Sequence, residues 1–284
     1  MPFTHPNLAN RTAVVTGGGG VLCGYFAKVL ASQGVKTAVL DLNLEAAQAV
    51  ANAILEQGGA ALALQCDVLD KASLEAAREQ VNAAFGPCDI LVNGAGGNHP
   101  SGTTSKEALE AVDLEEKIEG VTTFFDLDPA GISKVFNLNF LGTLLPTQVF
   151  ARDLAAKEHP AIVMVTSMNA IRPLTKIPAY SAAKAAVSNF TQFMATHFAP
   201  VGIRVNAIVP GFFSTNQNKT LLWNPDGSPT ARSNKILAAT PMRRFGLPEE
   251  LAGALLFLCD EAYSSFVTGS MVAVDGGFSA YSGV

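Results

Sequence analysis

TAVVTGGGGVLCGYFAKVLA, residues 12–31, is a β-branched run, four consecutive glycines and an apolar helical stretch in direct succession. A strand passing through a glycine turn into a helix is the first half of a βαβ unit. Gly17, Gly18, Gly19 and Gly20 let the backbone approach a pyrophosphate at the helix N-terminus, where the first amides lack intrahelical acceptors. A glycine cluster by itself also reads as a flexible turn. Its position favours the first reading, because it opens a chain that alternates throughout.

Moving outward, KTAVL, ALALQ, ILVN, AIVMVT, IRVNAI and MVAVD read as further strands. Helical periodicity fills much of residues 21–33, 44–57, 71–85, 130–156, 180–199 and 249–259. This alternation predicts an α/β fold: a single Rossmann-type domain over residues 1–284, doubly wound around a parallel sheet with helices on both faces. Residues 97–129 and 211–248 break the rhythm, are rich in Gly, Pro, Ser, Thr and Asn, and follow strands. Ligands in open α/β sheets bind outside the carboxyl ends of strands, so substrate is expected between these two segments.

The second strand ends at Asp41, in AVLDLN. A carboxylate there accepts hydrogen bonds from ribose hydroxyls and repels a 2′-phosphate. No Arg or Lys adjoins it, so NAD is expected in preference to NADP. The competing reading is that Asp41 caps the following helix.

Composition narrows the function. With 284 residues, 49% hydrophobic and 15% charged, the chain can bury a large core. A net charge of −5 and the lack of a basic run argue against nucleic acid as a partner. No stretch is long and apolar enough for a membrane span, and the N-terminus lacks a signal-peptide run. Cys23, Cys66, Cys88 and Cys259 are scattered without metal-ligand spacing, so a reducing cytoplasm and no structural metal are expected.

Tyr180 precedes Lys184 by one helical turn in AYSAAKAAVSNF, and Ser167 ends a predicted buried strand. Residues four apart share a helix face. An ammonium beside the phenol favours the phenolate and tunes Tyr180 for proton transfer. A buried tyrosine with a snorkelling lysine is the bland reading of the same pair.

Together these residues resemble the short-chain dehydrogenase/reductase family over nearly the whole chain. TGGGGVLC stands where that family has T-G-x-x-x-G-x-G, CDV ends in Asp67 and Val68, and NGAG spans Asn93, Gly94, Ala95 and Gly96. Asn139, Ser167, Tyr180 and Lys184 match the catalytic tetrad, and PGFFST supplies Pro210, Gly211, Phe213 and Thr215 beside the nicotinamide. VDGG closes the pattern. The resemblance implies cofactor contacts from Gly17, Gly19, Gly20, Val21 and Leu22 as well, with Lys184 on the nicotinamide ribose and Asn139 holding a proton-relay water. Val21 and Cys23 stand where the family pattern has glycine, and Gly94 where it has a second asparagine. NGAGGNHP, FFDLD, PGFFSTNQN and the terminal VDGGFSAYSGV are similar to a branch that interconverts D-mannonate and D-fructuronate.

A sugar-acid substrate calls for a cation, and Arg172 and Lys176 are the candidates. Asn169, Asn216, Gln217 and Asn218 are candidates for sugar hydroxyls, and His99 for the pocket wall. Two other functions fit the pattern: the same chemistry on a neutral polyol, ketose or 3-oxoacyl substrate, and a non-catalytic NAD-sensing protein. The resemblance implies a homotetramer, with Ala185, Ala186, Phe190, Phe193 and Met194 as surplus apolar surface.

Overall fold

The computed structural model describes residues 5–115, 117–215 and 219–283. All seven anticipated runs are strands: β1 Thr12–Thr16, β2 Lys36–Asp41, β3 Ala61–Gln65, β4 Ile90–Asn93, β5 Ala161–Val165, β6 Arg204–Pro210 and β7 Met271–Val274. Every neighbouring pair is parallel, in the order β3-β2-β1-β4-β5-β6-β7. Strands β1, β4, β5 and β6 are buried at every position, so they appear in sequence as mainly apolar runs.

The helices are α1 Val21–Ser32, α2 Leu44–Glu56, α3 Lys71–Phe85, α4 Val112–Glu115, α5 Pro129–Phe136, α6 Gly142–Leu154, α7 Pro178–Phe198, α8 Lys219–Leu222, α9 Ala231–Ala239, α10 Ala252–Cys259 and α11 Glu261–Ser264. Side chains alternate across a strand, so each strand feeds two cores. Val15, Val92 and Val163 pack with Phe26 and Leu30 of α1 and Leu255 of α10. Val14, Leu91 and Ile162 pack on the other face with Leu74 of α3, Phe150 of α6 and Val187 of α7. Met194, expected on an outward face of α7, belongs to this second core and is 6% exposed.

The stretch 130–156 is not one helix. A π-type turn over Asn137–Leu141 separates α5 from α6. One residue added to a turn is invisible to helical periodicity, and such turns recur at functional sites. Here the turn contains Asn139. The irregular segments hold short elements, with α4 in the first and α8 and α9 in the second.

Chain order runs outward in opposite directions from β1 and β4, which are neighbours in the sheet. The loops leaving these strands diverge and open a crevice at their carboxyl ends. Thr16, aligned with Asn93, ties the crevice together: its Oγ1 accepts from Gly94 N at 3.1 Å and Ala95 N at 3.3 Å.

Candidate active site

The glycine turn is close-packed. Gly17 has φ of 63°, a left-handed conformation, and a Cβ there would stand 2.9 Å from Ala95 Cα. Gly18 N donates to Leu40 O at 3.0 Å, and Gly19 N donates to Asp41 Oδ2 at 3.0 Å. A Cβ on Gly19 would lie 2.7 Å from Ala46 Cβ, so only glycine admits this approach. Helix α1 starts after Gly20 with no side-chain cap, leaving its leading amides available to an anion. Asp41 is not the cap of α2. That role falls to Asn43, whose Oδ1 accepts from Ala46 N at 3.2 Å, while Asp41 Oδ1 accepts from Asn43 N at 2.9 Å.

Above this turn lies a cleft of about 520 Å³ at the carboxyl edge of the sheet. It is lined by Gly17, Gly20 and Leu22 after β1, Asp41 at the end of β2, and Asp67 and Val68 after β3. Ala95 and Gly96 follow β4, Ser167 follows β5, Pro210 and Gly211 leave β6, and Tyr180 and Lys184 enter from α7. Leu42, Cys66, Leu138, Val165 and Thr166 also line it, together with Cys23 and Gly94. Sequence reasoning missed these seven. A signal did exist for Cys23 and Gly94, which break the family pattern where the cleft floor forms.

Tyr180 and Lys184 share the cleft-facing side of α7, with Lys184 Nζ 5.8 Å from the Tyr180 ring centroid. Lys184 Nζ donates to Val165 O at 2.9 Å. Burial pushes its ammonium down to about 8, an effect that the charge of a Cys23 thiolate would oppose. Burial pushes the Tyr180 phenol up, opposed by its hydrogen bond with Ser167. Lys184 is not among the groups that move this phenol, so the expected downward pull is not seen, and Tyr180 stands as a neutral phenol at neutral pH. Ser167 Oγ also accepts from Asn169 N at 3.2 Å, which fixes the loop after β5.

Asn139 is fully buried and fully engaged. Its Oδ1 accepts from Gly97 N at 3.1 Å, and its Nδ2 donates to Gly97 O and Val135 O, both at 2.8 Å. A Cβ on Gly96 would lie 2.6 Å from Asn139 Oδ1 and 3.1 Å from Lys184 Nζ. The bare Cα of Gly96 is thus what brings those two side chains to one place.

Other anticipated residues lie elsewhere. Asn93 is buried inside the fold, its Nδ2 donating to Thr147 Oγ1 at 2.9 Å, and it braces β4 against α6. Val21 opens α1 without lining the cleft, and Gly19 acts through Asp41. Phe213 packs edge-on against Gly246 beside a second hollow, and Thr215 does not line the cleft either. Asn169 and Lys176 line a third hollow, with Phe124, Ser181 and Ala185. Ser181 and Ala185 lie about 100° and 140° around α7 from Tyr180 at 100° per residue, so this hollow lies to one side of the Tyr180 face. Arg172 is exposed, and its Nε donates to Ser279 O at 3.0 Å, joining the loop after β5 to the C-terminal segment. His99 Nδ1 lies 2.6 Å from Ser101 Oγ and its Nε2 3.0 Å from Lys134 Nζ, so it braces the loop after β4 and does not face the cleft. Asn216, Gln217 and Asn218 lie outside the described residues.

Known proteins share this architecture. A family model described as enoyl-(acyl carrier protein) reductase matches residues 23–279. An uncharacterised oxidoreductase of Haemophilus influenzae is 57% identical over 98% of this chain and 96% of its own length. A Haemophilus influenzae crystal structure, provisionally named a D-mannonate oxidoreductase and holding bound NAD, is 56% identical, covers 98% of both chains and superposes with a TM-score of 0.93. The 7alpha-hydroxysteroid dehydrogenase of Escherichia coli is 31% identical over 95% of this chain and 94% of its own length. Sheet order, glycine turn and these matches agree: the chain is an oxidoreductase belonging to the short-chain dehydrogenase/reductase family.

Proposed function

We propose that the protein is an NAD(H)-dependent oxidoreductase that interconverts a hydroxyl and a ketone on a sugar acid, with D-mannonate and D-fructuronate as the pair. The observation carrying the proposal is the meeting of Ser167, Tyr180 and Lys184 at one end of a glycine-floored cleft. The cleft fits a nicotinamide dinucleotide. Gly17 and Gly19 leave room that any Cβ would fill, and Lys184 is the one cation among the described residues lining it, so no cation there meets a 2′-phosphate beside Asp41. A nicotinamide bound there supplies or accepts the hydride.

The chain's own residues handle the proton. Ser167 Oγ holds the substrate oxygen beside the Tyr180 hydroxyl and stabilises charge developing on it. Tyr180, protonated at neutral pH, gives its proton to that oxygen during carbonyl reduction and receives it during oxidation. Lys184 is held beneath the ring by Val165 O and grips the nicotinamide ribose, with Asn139 fixing the backbone at Gly97 alongside. The substrate is assigned to the space between the described parts of segments 97–129 and 211–248.

Support for a carboxylate comes from the similarity to the Haemophilus influenzae structure provisionally named a D-mannonate oxidoreductase; Arg172 itself lies outside the cleft, with its Nε anchored on Ser279 O. Lys176, lying on another hollow, favours the second reading, a neutral ketose or polyol. Comparing kcat/KM for D-fructuronate with that for D-fructose, using NADH, separates the two. Equal values sink the carboxylate assignment, and a higher kcat/KM with NADPH than with NADH sinks the role given to Asp41.

A homotetramer is proposed on exposed apolar surface in two places. On α7, Phe193 is 55% exposed and stacks on Phe190 and His197. Near edge strand β7, Phe266 is fully exposed and Met271 is 38% exposed. A monomer by light scattering at micromolar concentration refutes this assembly.

A further inference from the structure

Cys23 and Gly94, apart in sequence, meet on the floor of the cleft. A Cβ built on Gly94 would overlap Cys23 Sγ, well inside the 3.0 Å that real contacts respect, and would stand 2.9 Å from Thr16 O. Neither backbone has freedom to retreat. Gly94 N and Ala95 N are both held by Thr16 Oγ1, and α1 is seated by the 2.7 Å bond from Gly24 N to Gly20 O. Gly24 is itself closed in by Gly18 O and Val50 Cγ2, each 3.0 Å from where its Cβ would be.

The family pattern quoted above has glycine at position 23 and asparagine at position 94, so this chain carries its side chain on the opposite partner. We infer that Cys23 and Gly94 form one matched pair that sets the level of the cleft floor, and that Cys23 is a cofactor-positioning residue. Its Sγ occupies volume that a side chain at 94 would need, and both residues line the space for the dinucleotide. Of the departures from the pattern, those at 23 and 94 are a single exchange, in which Cys23 is tolerable only with Gly94.

The inference rests on the cleft's reading as a nicotinamide-nucleotide site, so NAD+ and NADP+ are both titrated by calorimetry. The proteins are the parent, Gly94→Ala, Cys23→Gly, the double variant C23G/G94A and Cys23→Ser. Gly94→Ala weakens the preferred nucleotide by at least about tenfold, because overpacking has nowhere to relax. The double variant binds at least about threefold more tightly than Gly94→Ala, since the overlap with Sγ is gone and only the 2.9 Å approach to Thr16 O remains. Cys23→Ser, nearly the same size, binds as the parent does. Parent-like binding by Gly94→Ala overturns the inference, as does a double variant no better than the single one. Thermal midpoints without nucleotide are measured alongside. A lowered midpoint with unchanged Kd makes the contact merely structural and also overturns the positioning role. If Gly94→Ala does not fold, recovery of folded, nucleotide-binding protein in the double variant upholds the pair, and failure of both overturns it. A preference for NADP+ removes the Asp41 assignment while the pair is still judged on the nucleotide that binds.

Discussion

Replacing Lys184 with methionine tests the burial of its ammonium. Lys184 is 4% exposed, and burial holds it at about 8 against an ordinary 10.5. The difference corresponds to about 3 kcal/mol at 1.36 kcal/mol per pH unit. Below pH 8 the lysine is protonated in both folded and unfolded chains, so the folded state bears the whole penalty. Between 8 and 10.5 the unfolded chain still holds a proton that the folded chain has released, so stability rises with pH. Methionine has similar length and nothing to titrate. The stability of the parent relative to Lys184→Met therefore improves by about 3 kcal/mol across that window. Tyr180 is pushed upward by burial and is present in both proteins, so its titration enters both curves. Urea unfolding followed by circular dichroism, at fixed protein concentration and from about pH 7 to about pH 10.5, gives the difference. A difference curve flat to within about 0.5 kcal/mol refutes the reasoning. The hydrogen bond to Val165 O would then be enough to keep the ammonium at its ordinary value.

Tyr180→Phe lowers kcat by about 10² to 10⁴-fold, the usual worth of a positioned acid or base, with NADH affinity unchanged. Unchanged turnover would remove Tyr180 from proton transfer. Gly96→Ala places a Cβ 2.6 Å from Asn139 Oδ1, which cannot withdraw without breaking its bonds to Gly97. A displacement of this kind lowers kcat by about 10²-fold. Steady-state kinetics showing a loss under about threefold would mean that the carboxamide and Lys184 are free to adjust.

Much of the fold was legible because the four strands buried throughout appear as mainly apolar runs, and the three others repeat the same short runs in regular alternation with helices. Helix 130–156 was misread at Asn137–Leu141, where an inserted residue leaves helical composition intact. The pairing of Tyr180 with Lys184 was legible because one helix fixes both side chains relative to each other. Loops offer no such rule. Lys176 has φ of 71°, a left-handed backbone that redirects the loop just before α7, and its side chain lies on the hollow with Asn169. Asn93 sits where a motif places a cofactor ligand, yet its amide points to Thr147 within the fold. The Cys23–Gly94 contact depends on the first turn of α1 meeting the loop after β4, and the departures from the family pattern mark the two positions without showing that they touch. The shift of Tyr180 was misjudged for a related reason: sequence names the neighbouring charge but not the depth of burial that raises the phenol.

Thr16 has an implication for how such a protein can change. Its single hydroxyl ties the two central, wholly buried strands to the loop that walls the dinucleotide cleft. Those bonds couple the wall to strands buried at every position, so it is expected to open only with the sheet itself. The described residues of 97–129 and 211–248 are shaped mainly by short helices, turns and two isolated bridges, Phe213–Gly246 and Trp223–Pro229. New substrates can therefore be acquired by redrafting those segments, while the hydride-carrying half is inherited intact.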